Sequence, residues 1–439
     1  MDSGDLIDLD ITGVAHGGVF VGRHEGRVVF VPDTIPGERV RVRLTDVKKS
    51  SFWRGDVVEV LDASPHRRPH VWRQADIEVP PELRPGGADF GHIDPAHQRS
   101  LKLEVLSDAL ERFGGLQLPL TIERARPILS PTGDVLDAET DDGTRWRTRV
   151  SLHVDEQGRV GPYASRSHTV ISVDDLPLAT ADVERAALAL PRGAAGRIDL
   201  VQPADGRVRI IPRPERTAKT RADRGPEHET VIERVDGRDF RVDAGGFWQV
   251  HRLAAHSLTE LVSEAIRATR PGGPAIDPDA WHLDLYGGVG LFAATLATLA
   301  GPGARVTSVE SDSRATEHAG ENLAEWVGAR AETGRVDRWV SQLAAEASTI
   351  QRERLSRGVV LLDPPRAGAG RVVVEAIADL EPETIVYVAC DPVALARDLA
   401  TFRDVGYDTR AVTALDIFPN SHHVEAVASL TRVDAPRLG

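Results

Sequence analysis

Residues 281–293 read WHLDLYGGVGLFA, an apolar run that leads directly into a glycine-rich turn. The run is typical of a buried strand, and the segment GLFAATLATLA that continues from Gly290 is typical of a helix. Gly288, Gly290 and Ala293 have the GxGxxA spacing at this strand-to-helix turn. Glycines there let the backbone approach a ligand at the helix N-terminus, so the stretch predicts a nucleotide-like cofactor.

An acidic residue supports that prediction. Glu310 ends the next apolar run, RVTSVE, twenty residues after Gly290. An acid in this place accepts hydrogen bonds from ribose hydroxyls. Taken alone, these features fit NAD and S-adenosylmethionine equally well, and a chance glycine turn is the alternative to both.

From about residue 246 to the end, apolar runs of strand length alternate with amphipathic runs of helix length. The first helix is HRLAAHSLTELVSEAI, and the strands include WHLDLY, RVTSVE, GVVLLD and TIVYVAC. Alternation of this kind predicts an α/β fold with a doubly wound, mostly parallel, Rossmann-like sheet.

The run VVLLDPPR, residues 359–366, distinguishes between NAD and S-adenosylmethionine as the cofactor. Asp363 follows a buried strand, at the end where open α/β sheets bind their ligands, and two prolines stiffen the turn after it. Asp-Pro-Pro in this place is frequent in methyltransferases that act on nucleobases and not in dehydrogenases. The sequence therefore favours S-adenosylmethionine, with a helix-capping role for Asp363 as the alternative.

Two further residues are candidates for catalysis. Cys390 ends the strand TIVYVA and precedes a helix that begins at Pro392, whose dipole is expected to lower the pKa of the thiol. Glu425 ends the segment FPNSHHVE, just before a last apolar strand, and is a candidate general base. The alternatives are a small buried hydrophobe for the cysteine and a solvated side chain for the glutamate.

The first 62 residues have a different pattern, with five short β-like runs separated by glycine and proline. This predicts a small, OB-like closed barrel. Arginines alternate with Val40, Val42 and Leu44 on one run, and basic and aromatic residues follow, as on barrels that hold phosphates and stack bases. The predicted RNA-binding residues are Arg39, Arg41, Arg43, Lys48, Lys49, Trp53 and Arg54. The alternative is a solvated face with Phe52 and Trp53 partly in the core.

Composition limits the class of protein. The formal net charge of −14 argues against indiscriminate binding to nucleic acid, but residues 36–73 hold nine Arg or Lys against five Asp or Glu. The single cysteine, Cys390, excludes an internal disulfide and a set of cysteine ligands for zinc or iron–sulfur. No apolar run approaches the ~18 residues of a membrane span, and the acidic N-terminus lacks a signal-peptide pattern. We expect a soluble, cytoplasmic monomer that binds no metal.

The chain divides into three predicted domains. Residues 1–62 form the barrel, residues 63–245 a central α+β domain, and residues 246–439 the Rossmann-like domain. Within the central domain, a helix over 95–113 is expected to pack on the Rossmann-like domain. The charged, proline-containing stretch 212–230 is predicted to be an exposed excursion.

These motifs together resemble the RNA uracil-5-methyltransferase family of tRNA and rRNA, in which the N-terminal barrel is a TRAM domain. The segments that carry the resemblance are DLYGGVG (284–290), FWQ (247–249), LLDPPR (361–366), CDP (390–392), FPNSHHVE (418–425), GGADFGHID (86–94) and the barrel stretch 13–40.

The resemblance implies a mechanism. Cys390 adds to C6 of a uridine, C5 then takes the methyl group of S-adenosylmethionine, and Glu425 removes the C5 proton. Asp363 lies where cofactor and uracil meet, and Gln249, Tyr286 and Glu310 hold the cofactor. The target base leaves its stack to reach the site.

The chain departs from the family pattern at four positions. Ala88 and Leu176 occupy places where many relatives have cluster-ligating cysteines, so no iron–sulfur cluster is expected. His251 replaces a usual asparagine, and Arg335 stands where many relatives place a cofactor-facing acid, which puts cofactor affinity in question.

The favoured function is formation of 5-methyluridine in a structured RNA, with 23S rRNA as the first choice and tRNA as the alternative. An exocyclic-amine methyltransferase without a covalent step leaves Cys390 and Glu425 unexplained. A non-catalytic RNA-binding or folding factor of the same fold is the alternative from another class.

Overall fold

The computed structural model describes residues 1–49, 51–215, 228–270 and 275–433. Its N-terminal part is a closed five-stranded barrel with the strand order β1-β2-β3-β5-β4. On β4 the predicted alternation is present, since Val40, Val42 and Leu44 are buried and the arginines between them point outward. The strands are β1 (Leu6–Ala15), β2 (Val19–His24), β3 (Arg27–Val31), β4 (Arg39–Asp46) and β5 (Phe52–Asp62).

Among the described residues, the segment after the barrel contributes two α-helices and three small sheets. A four-stranded antiparallel sheet has the order β10-β9-β11-β12, and β7–β8 and β13–β14 are hairpins. Its elements are α1 (Pro95–Ala109), β6 (Leu120–Arg124), β7 (Ile128–Leu129), β8 (Val135–Asp137), β9 (Arg149–Val154), β10 (Val160–Gly161), α2 (Ala181–Leu188), β11 (Gly196–Val201), β12 (Arg209–Pro214), β13 (Thr230–Val235) and β14 (Arg238–Asp243).

The C-terminal part is built on one large sheet with helices on both faces. Its elements are α3 (Ala254–Ala268), β15 (Trp281–Leu285), α4 (Leu291–Ala300), β16 (Arg305–Glu310), α5 (Ser313–Asn322), β17 (Ala329–Thr333), α6 (Val336–Glu346), α7 (Thr349–Ser356), β18 (Val359–Leu362), α8 (Arg371–Asp379), β19 (Thr384–Ala389), α9 (Pro392–Asp404), β20 (Tyr407–Asp416) and β21 (Glu425–Arg432).

The eight strands of this sheet have the order β17-β16-β15-β18-β19-β21-β20-β6. The first five are parallel, whereas β21 is antiparallel to both of its neighbours. Every residue of β18 and β19 is buried, as expected for strands covered by helices on both faces. The chain runs outward from β15 to β17 and then returns to the other side of β15 at β18. The strand order therefore reverses between β15 and β18, which is where such sheets bind ligands.

The central segment and the C-terminal part share the large sheet. β6 pairs in parallel with β20, with Leu120 opposite Val412, so the central segment supplies the edge strand of the large sheet. Helix α1 ends at Ala109, and a wider turn over Leu110–Gly114 follows and packs on α9. On the same side the buried Lys102 ammonium pairs with Asp416 at the end of β20, 2.6 Å between Nζ and Oδ1.

Residues 216–227, which belong to the stretch predicted to be an exposed excursion, lie outside the described residues. Within the described part of the chain, no helix is long and apolar enough to cross a membrane.

Candidate active site

The glycine-rich turn after β15 forms the first half of the site. Gly288 and Gly290 have positive φ angles, 53° and 89°, which favour glycine. A Cβ on Gly287 would lie 2.0 Å from the Ser308 hydroxyl, so the turn also needs glycine for close packing. α4 begins directly after Gly290, so the backbone of the turn lies at a helix N-terminus, as predicted.

Glu310, the last residue of β16, also belongs to this half of the site. One carboxylate oxygen accepts a hydrogen bond from the Gly288 backbone N–H at 3.2 Å, and the other accepts from the Asp312 N–H at 2.8 Å. These donors fix the carboxylate against the glycine turn. The oxygen that accepts from Asp312 also accepts from the Ser311 hydroxyl at 3.0 Å, so the capacity left for a ribose hydroxyl is on the oxygen that accepts from Gly288.

Asp284 is a residue of this half that the sequence reasoning missed. It is fully buried on β15, and its Oδ2 accepts from the Ala293 N–H at 2.9 Å and from the Ser308 hydroxyl at 3.2 Å. Its Oδ1 has no partner among the described residues. Burial raises its pKa to about 7. The available signal was an acid within an otherwise apolar strand, because a buried carboxyl without a function is costly.

Tyr286 and Gln249 are the other two residues predicted to hold the cofactor. Tyr286 follows Asp284 by two residues with a φ of 65°, and burial, with the charges of Asp337 and Asp398, raises its pKa to about 12. Gln249 is half-buried in the loop after β14, where the Thr148 N–H donates to the Val250 carbonyl at 2.8 Å. Neither placement assigns a contact to a cofactor.

The loop of Gln249 is tied to the cofactor half through β14. Asp243, at the end of β14, accepts from His318 at 2.7 Å and from Arg314 at 3.1 Å, both on α5. The Asn322 side chain, also at α5, donates to the carbonyl oxygens of Arg241 and Val289. These contacts hold the β13–β14 hairpin against the glycine turn.

The second half of the site collects residues from three adjacent strands. Asp363 follows β18, Cys390 follows β19, and Glu425 begins β21. Because β21 is antiparallel to β19, with Ala426 opposite Ala389, its first residue lies at the carboxyl end of β19. The fold therefore brings the three predicted catalytic residues to one edge of the sheet.

The pKa values in this half differ from the sequence-based expectation. Burial, followed by the charges of Glu425 and Asp363, raises the pKa of the Cys390 thiol to about 11. The expected lowering by the dipole of α9 is wrong, because two carboxyls from neighbouring strands and the loss of water outweigh it. Burial and the Asp284 carboxyl raise the pKa of Asp363 to about 7, and burial and Asp363 raise that of Glu425 well above its usual range.

Asp398 on α9 is a second residue that sequence reasoning did not assign. Its carboxylate accepts from the Tyr387 hydroxyl at 2.6 Å and from the Ala369 N–H at 2.7 Å. Ala369 ends the loop that begins at Asp363, so Asp398 positions the Asp-Pro-Pro-Arg turn from behind.

The loop before Glu425 is held by the central segment. Asn420 has a φ of 66°, and its side chain donates to the Gly143 carbonyl at 2.7 Å and accepts from Gln98 and Arg68. The next residues include His422, whose ring pairs with Asp89 at 2.8 Å. This network fixes the direction from which Glu425 enters the sheet.

The barrel residues predicted to bind RNA are placed differently from one another. Trp53 is 5% exposed and packs inside the barrel under the Arg27 guanidinium, so the prediction that it stacks a base is wrong. Arg41 is paired with Asp8 at 2.9 Å and Glu59 at 2.8 Å, which neutralises it.

The other cations of the barrel leave a basic and aromatic patch. Arg39 and Arg43 are exposed on β4, and Lys48 precedes β5. Lys49 and Arg54 lie 4.6 and 5.8 Å from the centre of the half-buried Phe52 ring. We call Lys48, Lys49, Phe52 and Arg54 the Phe52 patch.

The family departures have local structural roles. His251 is buried, stacks on Trp146 and pairs with Glu139 at 3.1 Å. Arg335 is exposed and pairs with Asp337 at 2.8 Å. Ala88 and Leu176 lie in one hydrophobic core, so their side chains offer no ligand to a metal cluster.

Comparisons with known proteins agree with this geometry. The TRAM domain family matches residues 3–58, and the tRNA (uracil-5-)-methyltransferase family matches residues 336–433. A Streptomyces avermitilis protein described as an RNA methyltransferase is 37% identical over 97% of this chain and 98% of its own length. The chain belongs to the RNA uracil-5-methyltransferase family. It is an S-adenosylmethionine-dependent RNA methyltransferase with an N-terminal TRAM barrel.

Further relatives extend the similarity of this methyltransferase. A Corynebacterium glutamicum protein described as an RNA methyltransferase is 32% identical over 98% of each chain. The structure of the Pyrococcus abyssi tRNA (uracil-54, C5)-methyltransferase, in complex with S-adenosyl-L-homocysteine, superposes with a TM-score of 0.66 at 21% identity. It covers 96% of this chain and all of the other, so the fold is shared along nearly the whole length.

The first half of the site fits S-adenosylmethionine. A Cβ on Gly288 would meet none of the described residues within 4 Å, so the backbone there faces open space. The Glu310 carboxylate lies beside that space, and a positively charged sulfonium is compatible with the acids at the neighbouring strand ends. When bound, this cofactor supplies an electrophilic methyl group. The glycine turn and Glu310 would hold it.

Proposed function

We propose that the protein methylates C5 of a specific uridine in 23S rRNA through a covalent adduct between Cys390 and C6. The observation that carries the proposal is that the Cys390 thiol, the Glu425 carboxyl with its strongly raised pKa, and the Asp363 carboxyl lie at the ends of adjacent strands. These strand ends lie beside the glycine turn of the cofactor half. An exocyclic-amine methyltransferase needs neither the thiol nor the glutamate.

The reaction requires a nucleophile and a base. The Cys390 thiolate forms a bond to C6, and the π electrons of the C5–C6 bond move to give an enolate on the O4 side. C5 then bonds to the methyl group while the bond from that methyl group to the sulfonium sulfur breaks, and S-adenosylhomocysteine is the leaving group. The Glu425 carboxylate takes the C5 proton, the C5–C6 double bond re-forms, and the C6–S bond breaks with return of the thiolate.

The raised pKa of Glu425 suits that role. A carboxylate in an apolar site with a neighbouring acid binds a proton more strongly than an exposed one, so it is the better base for a weakly acidic C–H bond. Asp363 contributes both to this high pKa and to that of the thiol. With a pKa of about 11, the Cys390 thiol of the free protein is mostly protonated at neutral pH, so it must lose its proton before it attacks C6.

The Phe52 patch and the exposed Arg39 and Arg43 support RNA as the substrate. Cations attract the phosphate backbone and the half-buried Phe52 ring offers a stacking face. The same surface fits rRNA and tRNA. The tRNA alternative is supported by the names of the matching family and of the Pyrococcus abyssi enzyme.

A trapping experiment tests the proposal. The protein is mixed with S-adenosylmethionine and with 23S rRNA fragments or tRNA that carry 5-fluorouridine, because fluorine at C5 cannot be removed by a base and leaves the adduct in place. We expect a slowly migrating protein–RNA band with an rRNA fragment and none with Cys390→Ala. A band with tRNA and none with any rRNA fragment would identify tRNA as the substrate in place of 23S rRNA. Methylation without any band would overturn the covalent mechanism.

A further inference from the structure

The first turn of the barrel, residues 16–18 between β1 and β2, reaches the catalytic edge of the large sheet. A cavity of about 80 Å³ lies between this turn and the loop that carries Cys390. Its walls include His16 and Gly18 from the turn, Lys102 from α1, and Arg366 and Cys390 from the methyltransferase sheet. The thiol that we propose as nucleophile thus faces a space closed by a part of the barrel.

His16 contacts the residue next to the nucleophile. Its Nε2 lies 3.3 Å from Oδ2 of Asp391. The other oxygen of Asp391 caps α9 by accepting from the Ala394 N–H at 2.8 Å. Asp391 therefore joins the barrel turn to the start of the helix that follows Cys390, and a displacement of His16 acts on the nucleophile through one residue.

Gly18 packs directly against the loop of Glu425. A Cβ on Gly18 would lie 2.6 Å from the Cβ of His422, a contact that requires the turn or the loop to shift. His422 is itself held by Asp89 at 2.8 Å. The turn is thus fixed between the Cys390 loop on one side and the Glu425 loop on the other.

We propose that the turn over residues 16–18 is a wall of the target-base pocket and that His16 and Gly18 are positioning residues for the attack by Cys390. The proposal rests on the proposed function, because it assigns the cavity to the uracil ring. It means that the barrel contributes to chemistry as well as to RNA binding. A flipped base that reaches the thiol then contacts the barrel turn on the way.

The test compares two glycines of the barrel that share a left-handed backbone. Gly18 has a φ of 73° and no room for a side chain, whereas Gly26, in the turn between β2 and β3, has a φ of 80° and no described residue within 4 Å of a Cβ. Both Gly18→Ala and Gly26→Ala introduce the same backbone strain. Only Gly18→Ala pushes the barrel turn away from His422.

Two measurements are made on the full-length protein. The first is the rate of alkylation by iodoacetamide, read by mass, which reports on Cys390 alone because the chain has one cysteine. The second is the single-turnover rate of methylation at saturating RNA and cofactor. We expect Gly18→Ala to change both rates by about tenfold or more, since a small misplacement of a reacting group has large effects. Gly26→Ala should change neither by more than about twofold.

His16→Ala gives a milder second variant, since His16 is half-exposed and its removal leaves the core intact. We expect faster alkylation and a lower kcat with an unchanged KM for RNA, and partial rescue by His16→Gln, whose amide still donates to Asp391. Equal alkylation and single-turnover rates for Gly18→Ala and Gly26→Ala overturn the proposal, as does a loss of RNA affinity alone. Alkylation needs neither RNA nor cofactor, so a contrast in alkylation without methylation of any RNA would instead place the failure in the proposed function.

Discussion

Two glutamates at the catalytic edge, Glu310 beside the glycine turn and Glu425 beside the thiol, are held in opposite ways. In the cofactor half, Glu310 receives backbone N–H donors on both oxygens. In the nucleophile half, Glu425 is buried and Asp363 is half-buried, and both have raised pKa values. Donors stabilise the charged form of an acid, and burial near a like charge destabilises it.

This difference separates binding from chemistry. A carboxylate that is fixed by N–H donors is suited to hold a neutral sugar without reorganisation. A carboxyl that resists ionisation is suited to take a proton once a neighbour or a substrate changes its surroundings. Substitutions in the two halves should therefore change different kinetic constants, and the following predictions test that division.

The largest effect is expected for Glu425→Gln. An amide cannot take the C5 proton, so the adduct forms and is not resolved, and turnover should fall about 10³-fold, within the range for loss of a general base. The measurement is steady-state methylation together with a denaturing gel of protein and unmodified RNA, in which an adduct should persist. Affinity for S-adenosylmethionine should be unchanged. Normal turnover in this variant would remove Glu425 from the reaction.

The next effect is the pH dependence of the Cys390 thiol. Because its pKa is about 11, the thiolate fraction is small at neutral pH and grows as the pH rises toward that value. Alkylation should accelerate about tenfold for each pH unit between about pH 7 and 10, without the plateau of a free thiol of pKa ~8.5. Intact mass at each pH checks the single site. A plateau near pH 9 would mean that the surrounding acids do not control the thiol.

A smaller effect is expected in the cofactor half. Glu310→Gln replaces a charged acceptor by a neutral one, and a hydrogen bond to a charged group contributes ~1.5–3 kcal/mol. The Kd for S-adenosylmethionine, measured by calorimetry, should rise about tenfold or more. At saturating cofactor the single-turnover rate should stay within about twofold of the wild type. A lost rate at saturation would show that the two halves are not separate.

The smallest effects are expected on the outer face of the barrel. Lys49→Ala or Arg54→Ala should weaken RNA binding by a few-fold and lower the salt dependence by about one counterion. Arg41→Ala is the matched control, because its charge is already neutralised by Asp8 and Glu59, and its effect should be smaller. Binding titrations at several salt concentrations distinguish the variants. An Arg41→Ala effect equal to that of Lys49→Ala would mean that RNA displaces the acidic partners.

Much of this organisation is readable in the sequence because it depends on local pattern. The glycine turn, the Asp-Pro-Pro strand end and the cysteine at the next strand end each follow a buried run, and parallel strands bring their ends together. On barrel strand β4, buried apolar residues alternate with outward-facing arginines. On β5, however, Phe52 and Trp53 are both apolar neighbours, so the pattern cannot tell which of the two faces inward.

What the sequence does not show depends on distant partners. The thiol pKa is raised by burial and then by the charges of Glu425 and Asp363 at neighbouring strand ends, whereas the local helix dipole predicted the opposite direction. The five residues of β6 read as any short strand, with no sign that they pair with β20. Asp284 and Asp398 act through buried hydrogen bonds to loops that only the fold brings near.

The pairing of β6 with β20 has a consequence for how the protein is made. β6 and β20 lie far apart along the chain, so this edge of the sheet that carries the active site forms only after both segments have been synthesised. Pairings between such distant segments form slowly. Before β6 pairs with it, β20 is an open strand edge, the kind of surface through which chains associate. By supplying β6, the central segment covers the edge of the catalytic sheet. A fragment that begins at residue 246 lacks β6 and should therefore aggregate when expressed alone, as size-exclusion chromatography would show.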